Sequence, residues 1–321
     1  MSPRMKPSAR FVSIGECMVE IRLLEGDRAT IGFGGDTLNV AAYLARLGAS
    51  VDYATALGDD PYSDAMMAGW AEEGIGTGLV RRLAGRVPGL YTIRTDKKGE
   101  RSFHYWRDSS PARELFDLPD AENLAVALAG YGLIYLSGIS LSLYGRAGRE
   151  RLFGALDRAR EGGSLVAFDS NYRPRGWDSA DEARAVFAEM ARRTDIALPT
   201  LDDEAALHGD ADAASCARRL REAGIAEVVV KHGPGGCWID GPDGAFEAPV
   251  PVKVDPVDTT AAGDSFNAGY LSGRALGADQ RASALRGHWI AAAVIAHRGA
   301  IIPRSAMPDP SHFALVRDQE A

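Results

Sequence analysis

Lysine is scarce in this 321-residue chain. Lys6, Lys97, Lys98, Lys231 and Lys253 are the whole set, and Arg supplies the rest of the 36 basic residues. None of the five is followed by Ser or Thr, so there is no GxxxxGK[ST] phosphate loop. Cysteine is scarcer still. Cys17, Cys216 and Cys237 are odd in number and form no CxxC, which reads as reduced thiols of a cytoplasmic protein, not a disulfide frame. The six histidines lack HExxH and paired spacing, which argues against a catalytic zinc. Gly32-Phe33-Gly34-Gly35 and Gly74-Ile75-Gly76 both lack the third glycine of GxGxxG, which weakens a dinucleotide-dependent oxidoreductase. Positive charge is in deficit, 36 basic against 44 acidic residues for a net charge of −8, so neither nucleic acid nor an anionic membrane surface is an expected partner. The first residues contain no apolar core of signal-peptide length. Residues 124–145 are uncharged over 22 positions, enough to cross a bilayer, but four Gly and three Ser interrupt them. They read as a helix end, a turn and a buried strand.

What is present is a folded α/β pattern. The chain is 46% apolar and 25% charged, as in ordinary globular proteins. Strand-length apolar runs fall at 11–15, 51–57, 133–139, 165–169, 195–198 and 227–231. Helical periodicity falls between and after them, at 38–47, 149–160, 180–192, 211–223 and 281–297. Continuous apolar strands alternating with amphipathic helices predict a mostly parallel sheet covered on both faces. Two segments break the rhythm: MVEIRLL and IGF within 17–33, and YTIRTDKKGERSFHYW at 91–106, which alternates around a polar DKKGE turn. They are expected to pair into a small β-sheet lid, built from about 17–35 and 89–108 and inserted in a single domain over 10–310. The first ten residues read as a frayed tail.

The chemistry concentrates near the C-terminus in Asp258-Thr259-Thr260-Ala261-Ala262-Gly263-Asp264-Ser265-Phe266. Small side chains ahead of a helix start let backbone N–H groups approach an anion, and the helix dipole adds to the attraction. Asp264 is either a helix-capping acid or a base beside that anion hole, and the residues alone leave both open. Arg107, at the end of the lid hairpin, and Arg173, after a strand end where α/β crevices open, are candidates for anion recognition among many surface arginines. Val228-Val229-Val230-Lys231-His232-Gly233-Pro234-Gly235-Gly236 is a buried strand entering a glycine-rich turn, a weak signal by itself.

DTTAAGDSF resembles the C-terminal motif of the PfkB/ribokinase family of carbohydrate kinases, and GGDTLN at 34–39 resembles its early glycine-pair motif. IGECMVE, PGLYTIRTD, GERSFHYWRD, LIYLSGISL, FDSNYRPRGW and RGAIIPR extend the likeness over about 10–307. They are similar to the branch of that family that phosphorylates a 2-keto-3-deoxy sugar acid at its terminal hydroxyl. The resemblance implies a ribokinase-like three-layer α/β/α sandwich with a small β-sheet lid. It implies that Asp264 accepts the hydroxyl proton while Ala261, Ala262 and Gly263 hold the phosphoryl group. Gly34, Gly35, Asp36, Thr37, Leu38, Asn39, Tyr91, Tyr105 and Arg107 would contact the sugar acid, although the two tyrosines read equally as lid packing. Arg173 would bridge toward the phosphates. Asn171, Arg173, Lys231, Gly233, Gly236, Ala261 and Gly263 would meet ATP, and His288 would lie near the adenine or be a solvated helix residue. The family's metal-associated N-x-x-E is replaced by Pro199-Thr200-Leu201-Asp202-Asp203-Glu204. Asp203 and Glu204 either hold Mg²⁺ through water or are acids at a helix start. Relatives respond to monovalent cations, but no residue here assigns such a site. The edges of a lid sheet favour a homo-oligomer, a dimer or higher. A neutral-sugar kinase and a non-catalytic sugar binder are the rival readings.

Overall fold

A computed structural model describes residues 10–24, 27–95, 101–309 and 313. The expected tail at 1–9, the tip between the first two lid strands at 25–26 and the DKKGE turn at 96–100 lie outside the described residues. The main sheet takes β1 (Phe11–Ile14), β4 (Val51–Gly58), β5 (Ile75–Gly76), β6 (Val80–Leu83), β9 (Leu133–Ser137), β10 (Leu165–Asp169), β11 (Ile196–Ala197), β12 (Glu227–Lys231), β13 (Cys237–Gly241) and β14 (Gly244–Ala248). Its order is β14-β13-β12-β11-β10-β9-β1-β4-β5, with β6 also on β4. Every pairing from β12 to β5 is parallel, and β13 and β14 add an antiparallel edge. The helices are α1 (Asp36–Arg46), α2 (Pro61–Glu72), α3 (Ala121–Leu128), α4 (Gly138–Leu143), α5 (Arg146–Glu161), α6 (Ala180–Ala191), α7 (Leu201–His208), α8 (Ala213–Glu222), α9 (Ala262–Ala275) and α10 (Gln280–Ile295). This is the three-layer α/β/α arrangement that the alternating sequence predicts.

The layers follow from the two-residue period of the strands. Phe11, Tyr53, Leu133 and Tyr135 point to one face and pack with α1, α2, α9 and α10. Their neighbours Val12, Ile14, Ala54, Ile134 and Leu136 point to the other, against α3, α5 and α6. Complete burial of an aliphatic or aromatic side chain contributes roughly 1.5–3 kcal/mol. These two apolar layers therefore outweigh any difference in local helix propensity. Among the described residues no helix is long and apolar enough to cross a membrane. The uncharged stretch at 124–145 is the end of α3, then β9 and α4.

The expected strand at 133–139 is two residues too long. It stops at Ser137, whose hydroxyl accepts from Ser140 N at 3.3 Å and caps α4. The expected strand at 195–198 shrinks to two residues. α2 gave no clear apolar period, and its start is set by local chemistry: Asp60 accepts from the amides of Tyr62 and Ser63, with Pro61 as first helical residue.

The second sheet is the expected lid. β2 (Met18–Leu23), β3 (Ala29–Gly34), β7 (Leu90–Thr95) and β8 (Arg101–Trp106) lie in the order β3-β2-β7-β8. β2 and β7 are parallel and the two outer pairs antiparallel. Met18, Tyr91, Ile93 and Phe103 form its own small apolar cluster. The chain leaves β1 into this sheet and returns through α1 to β4, while β9 lies on the other side of β1. The lid thus stands at the carboxyl ends of the strands, beside the point where strand order reverses and α/β ligand crevices open.

Candidate active site

A cleft of about 1230 Å³ separates the lid from the carboxyl ends of the main sheet. Its wall includes Gly34, Gly35, Asp36, Asn39, Tyr91, Tyr105 and Arg107 from the lid side and α1. Asn171 and Arg173 line it after β10, and Ala261, Ala262, Gly263 and Asp264 line it at the start of α9. Residues separated by more than 200 positions in sequence therefore face one space.

α9 begins at Ala262, with Ala261 as its N-cap in the left-handed region at φ 60°. A left-handed non-glycine residue costs roughly 1–2 kcal/mol. The other described non-glycine residue with positive φ is Asn171, and it too lines the cleft. Among the described residues, both left-handed non-glycine positions thus fall at the cleft wall, as expected of a functional turn. Gly263 and Asp264 stand in the first helical turn, so their amides have no acceptor within the helix and are available to an anion. Asp264 accepts from Asn39 Nδ2 through Oδ2 at 2.8 Å. Burial first, then the like charge of Asp36, raises its carboxyl well above the ordinary range, with a smaller push from Asp169; the Asn39 bond and Lys231 pull it back. Both readings left open by the sequence meet here: Asp264 lies in the first turn, but makes no side-chain cap and faces the cleft.

Beneath this turn lies a buried polar network. Lys231 Nζ donates to Asp169 Oδ2 at 2.7 Å and Asn267 Oδ1 at 2.9 Å. Asn267 Nδ2 donates to Asp169 Oδ2 at 2.7 Å and to the Tyr135 hydroxyl at 3.1 Å. The ends of β9, β10 and β12 are thereby tied to the first turns of α9. Asp169 Oδ1 also accepts the Asn171 amide at 3.1 Å, and Asn171 Nδ2 donates to Asp36 at 2.8 Å.

The glycine pair is explained by close approach. A Cβ on Gly34 would stand 2.2 Å from the Tyr91 hydroxyl, and one on Gly35 2.1 Å from the Glu16 carbonyl oxygen. Tyr91 is committed to the lid: its hydroxyl donates to Glu20 at 2.5 Å, and its ring lies 5.7 Å from that of Tyr105. Burial and the Glu20 charge push its phenol far up. Arg107 donates to the buried Glu16 carboxylate. Arg173 donates to Asp203 at 2.9 Å and keeps half its side chain exposed at the cleft.

Several sequence expectations change. The side chains of Thr37 and Leu38 face inward, Thr37 onto the Tyr53 hydroxyl at 2.9 Å and Leu38 into the core, because α1 must bury that face. Lys231 is buried under the anion turn and does not line the cleft. Gly233 and Gly236 form the turn from β12 to β13, both at positive φ, and lie off the cleft wall. His288 is neither solvated nor on that wall: it is buried, donates from Nε2 to the Ala248 carbonyl at 3.0 Å, and is pushed down to about 4 by burial. Glu204 is turned away into a separate cavity of about 130 Å³ and is neutralised by Arg219 at 2.6 Å. Of the two expected metal acids only Asp203 lies beside a cleft residue. Sequence reasoning missed Glu16, Asp169 and Asn267. Asn267 follows Asp264 by three residues, the spacing that puts both on one helix face, and was the legible signal.

An α/β fold with a lid, an anion turn and a carboxylate beside it defines a phosphotransferase-type cleft without a P-loop. Residues 8–307 match the pfkB family carbohydrate kinases, and the chain belongs to that family. It is 46% identical over 302 residues to a 2-dehydro-3-deoxygluconokinase of Dickeya dadantii (strain 3937), covering 92% of this chain and 97% of that one. The fold is similar to a PfkB protein from Polaromonas sp. JS666, with TM-score 0.80, 26% identity and coverage of 90% and 96%. It is also similar to a fructokinase with bound ATP from Xylella fastidiosa, with TM-score 0.80, 24% identity and coverage of 98% and 100%.

Proposed function

We propose that this chain transfers the γ-phosphoryl group of ATP to the C6 hydroxyl of 2-keto-3-deoxy-D-gluconate, giving 2-keto-3-deoxy-6-phosphogluconate and ADP. The observation that carries the reading is Asp264, a carboxylate in the first turn of α9 beside unbonded backbone amides at the floor of a lidded cleft. Asp264 takes the hydroxyl proton as the oxygen attacks phosphorus, and the bond from the γ-phosphorus to the bridging oxygen of ADP breaks. The 261–263 backbone and the α9 dipole stabilise the charge spreading over the transferring group. Lys231 adds positive charge from beneath. The lid carries Tyr105 and Arg107 to the sugar-acid side and excludes water, which would otherwise accept the phosphoryl group. The high identity to a sugar-acid kinase supports the acid over a neutral sugar.

Asp203 fits a magnesium ion retaining several waters because its carboxylate is partly exposed at the cleft, where the ion would compete with Arg173 for it; Glu204 does not fit, since it is buried in the separate cavity with Arg219. Magnesium, when bound, neutralises charge on the β- and γ-phosphates. Activation by a monovalent cation and a cytoplasmic, oligomeric enzyme belong to the same proposal.

The test is ADP release with Mg-ATP and a panel of 2-keto-3-deoxygluconate, 2-keto-3-deoxygalactonate, gluconate, fructose and ribose, in sodium and in potassium buffers. Turnover restricted to the keto-deoxy acids and abolished in Asp264→Asn is expected. Turnover on neutral sugars would keep the kinase and sink the acid. No turnover would favour a sugar-binding protein. Arg107→Ala is expected to raise KM for the acid by about 10–100-fold, the weight of a lost charge-assisted pair. An unchanged KM for the acid would show that Arg107 does not read the carboxylate.

A further inference from the structure

Four arginines line the cleft, and they differ in what holds them. Arg107 is engaged by the buried Glu16 carboxylate and Arg173 by Asp203 at 2.9 Å. Arg113 and Arg175 make no side-chain hydrogen bond or ion pair among the described residues. That sets them apart in a chain where even the Arg146 side chain, 90% exposed, meets Glu150 at 3.1 Å. The same wall carries the carboxyl groups of Glu16, Asp36, Asp108, Asp169, Asp178 and Asp264. A crevice that takes two anionic substrates is therefore short of positive charge not already cancelled, and the two unpaired guanidiniums are where it is found.

Of these two, Arg175 is the one beside the anion turn. With Arg173 it lines a second space of about 700 Å³, between the lid edge β8 and Thr259, Thr260 and Ala261, which Arg113 does not reach. Burial raises the Tyr105 phenol on that edge, and the charges of Arg107, Arg173 and Arg175 lower it. The mount is fixed while the head is free. Arg175 is the middle residue of a 3-10 turn, Pro174–Gly176, closed by Gly176 N donating to the Arg173 carbonyl at 2.9 Å and Trp177 N to the Pro174 carbonyl at 3.2 Å. A Cβ on Gly176 would stand 2.8 Å from Ser142 Oγ, so the turn rests directly on α4. Trp177 packs edge-on against Phe187 with ring centroids 5.5 Å apart. Arg175 itself is exposed, so no ion pair must break before it meets an anion.

We infer that Arg175 contacts the polyphosphate of the nucleotide, on the lid side of the anion turn. Its planar fork suits two phosphate oxygens, and it adds to the 261–263 amides a charge that no neighbouring acid cancels. This rests on the phosphoryl-transfer reading above and adds a residue to its nucleotide side. The segment FDSNYRPRGW gives no sign of which of its two arginines is already paired; the Asp203 contact decides it.

The test measures the Kd of Mg-ATP by calorimetry, and KM for both substrates, in wild type, Arg175→Gln and Arg113→Gln. A side chain with no bond to the fold can be replaced without disturbing it, so the melting temperature of Arg175→Gln should equal that of wild type. Its Kd and KM for Mg-ATP are expected to rise by about 5–20-fold, the weight of one charge-assisted hydrogen bond, with KM for the sugar acid unchanged. Arg113→Gln removes the same charge from the cleft but outside the second space, and should change Mg-ATP binding by less than about twofold, as a screened charge does. An Arg175→Gln variant that binds Mg-ATP as wild type does would overturn the inference. So would an equal loss in Arg113→Gln, which would mark a field of the whole cleft and not a contact. A loss confined to KM for the sugar acid would overturn it too, by putting Arg175 on the carboxylate. A wild-type chain that binds no Mg-ATP would remove the phosphoryl-transfer reading and this inference together, whereas wild-type binding with an indifferent Arg175→Gln removes only the role of Arg175.

Discussion

At the scale of single residues, the cleft is organised by carboxylates more than by cations. Asp36, Asp169 and Asp264 converge on one floor, and Lys231 is the cation buried with them. The consequence is a base whose proton leaves late. Asp264 acts ionised, so kcat/KM should rise with pH along a limb lying above the ordinary carboxylate range. Removing the like charge in Asp36→Asn should let the proton leave earlier and move that limb to lower pH. A limb that stays or moves upward would contradict the coupling. The same group has a stability signature of opposite sense. A carboxyl whose folded pKa is raised binds its proton more tightly in the folded state. Stability is therefore lost as pH climbs from the unfolded value through the folded one. Asp264→Asn should melt a few degrees above wild type at pH 8 and show no advantage near pH 3. Equal melting temperatures at both pH values would mean that the fold does not hold this carboxyl against ionisation.

At the scale of elements, the lid and α1 are fitted to each other through the glycine pair. Gly34→Ala drives a methyl group to 2.2 Å from the Tyr91 hydroxyl, which is itself held by Glu20. The lid strand must shift, so KM for the sugar acid should rise several-fold. Tyr91→Phe deletes the clashing oxygen and leaves the nearest ring carbon at 3.3 Å, a contact that small adjustments absorb. The double variant Gly34→Ala with Tyr91→Phe should therefore bind the acid better than Gly34→Ala alone. A double variant no better than the single one would locate the defect elsewhere. The sequence made part of this legible. The strand and helix periods of β1, β4, β10, β12, α1, α5 and α8 lie in local patterning, and the anion turn lies in a run of small residues ahead of a helix. What remained hidden depends on contacts between distant segments. Nothing near Glu16 announces Arg107, nothing near Lys231 announces Asn267, and the inward turn of Thr37 and Leu38 follows from which face of α1 meets the sheet. His288 misled because one helix position gives no sign of the Ala248 carbonyl that β14 brings to it.

At the scale of the whole molecule, the cleft has one rigid wall and one light one. The main sheet is buried between two apolar layers, whereas the lid has four strands and a cluster of only a few side chains. β3 and β8 are its edges, and Ile31 and Trp106 are about 60% exposed on them. Leu23 and Leu24 add apolar surface at the end of β2. A small sheet with open edges and exposed aliphatic side chains is unstable by itself and tends to pair. Pairing with the lid of a second copy would cover those edges and stiffen the wall that carries Tyr105 and Arg107. The expected state in solution is thus a dimer at micromolar concentration, measured by light scattering or sedimentation. Ile31→Glu puts a charge into the proposed contact and should yield monomers. Because the anion turn and Asp264 belong to the start of α9 and not to the lid, the monomer should keep much of its kcat while KM for the sugar acid rises. A wild-type monomer, or an Ile31→Glu variant that stays dimeric, would remove the lid edge as the contact. A monomer with unchanged KM would leave the dimer intact as a finding and show that the lid closes without help from its partner.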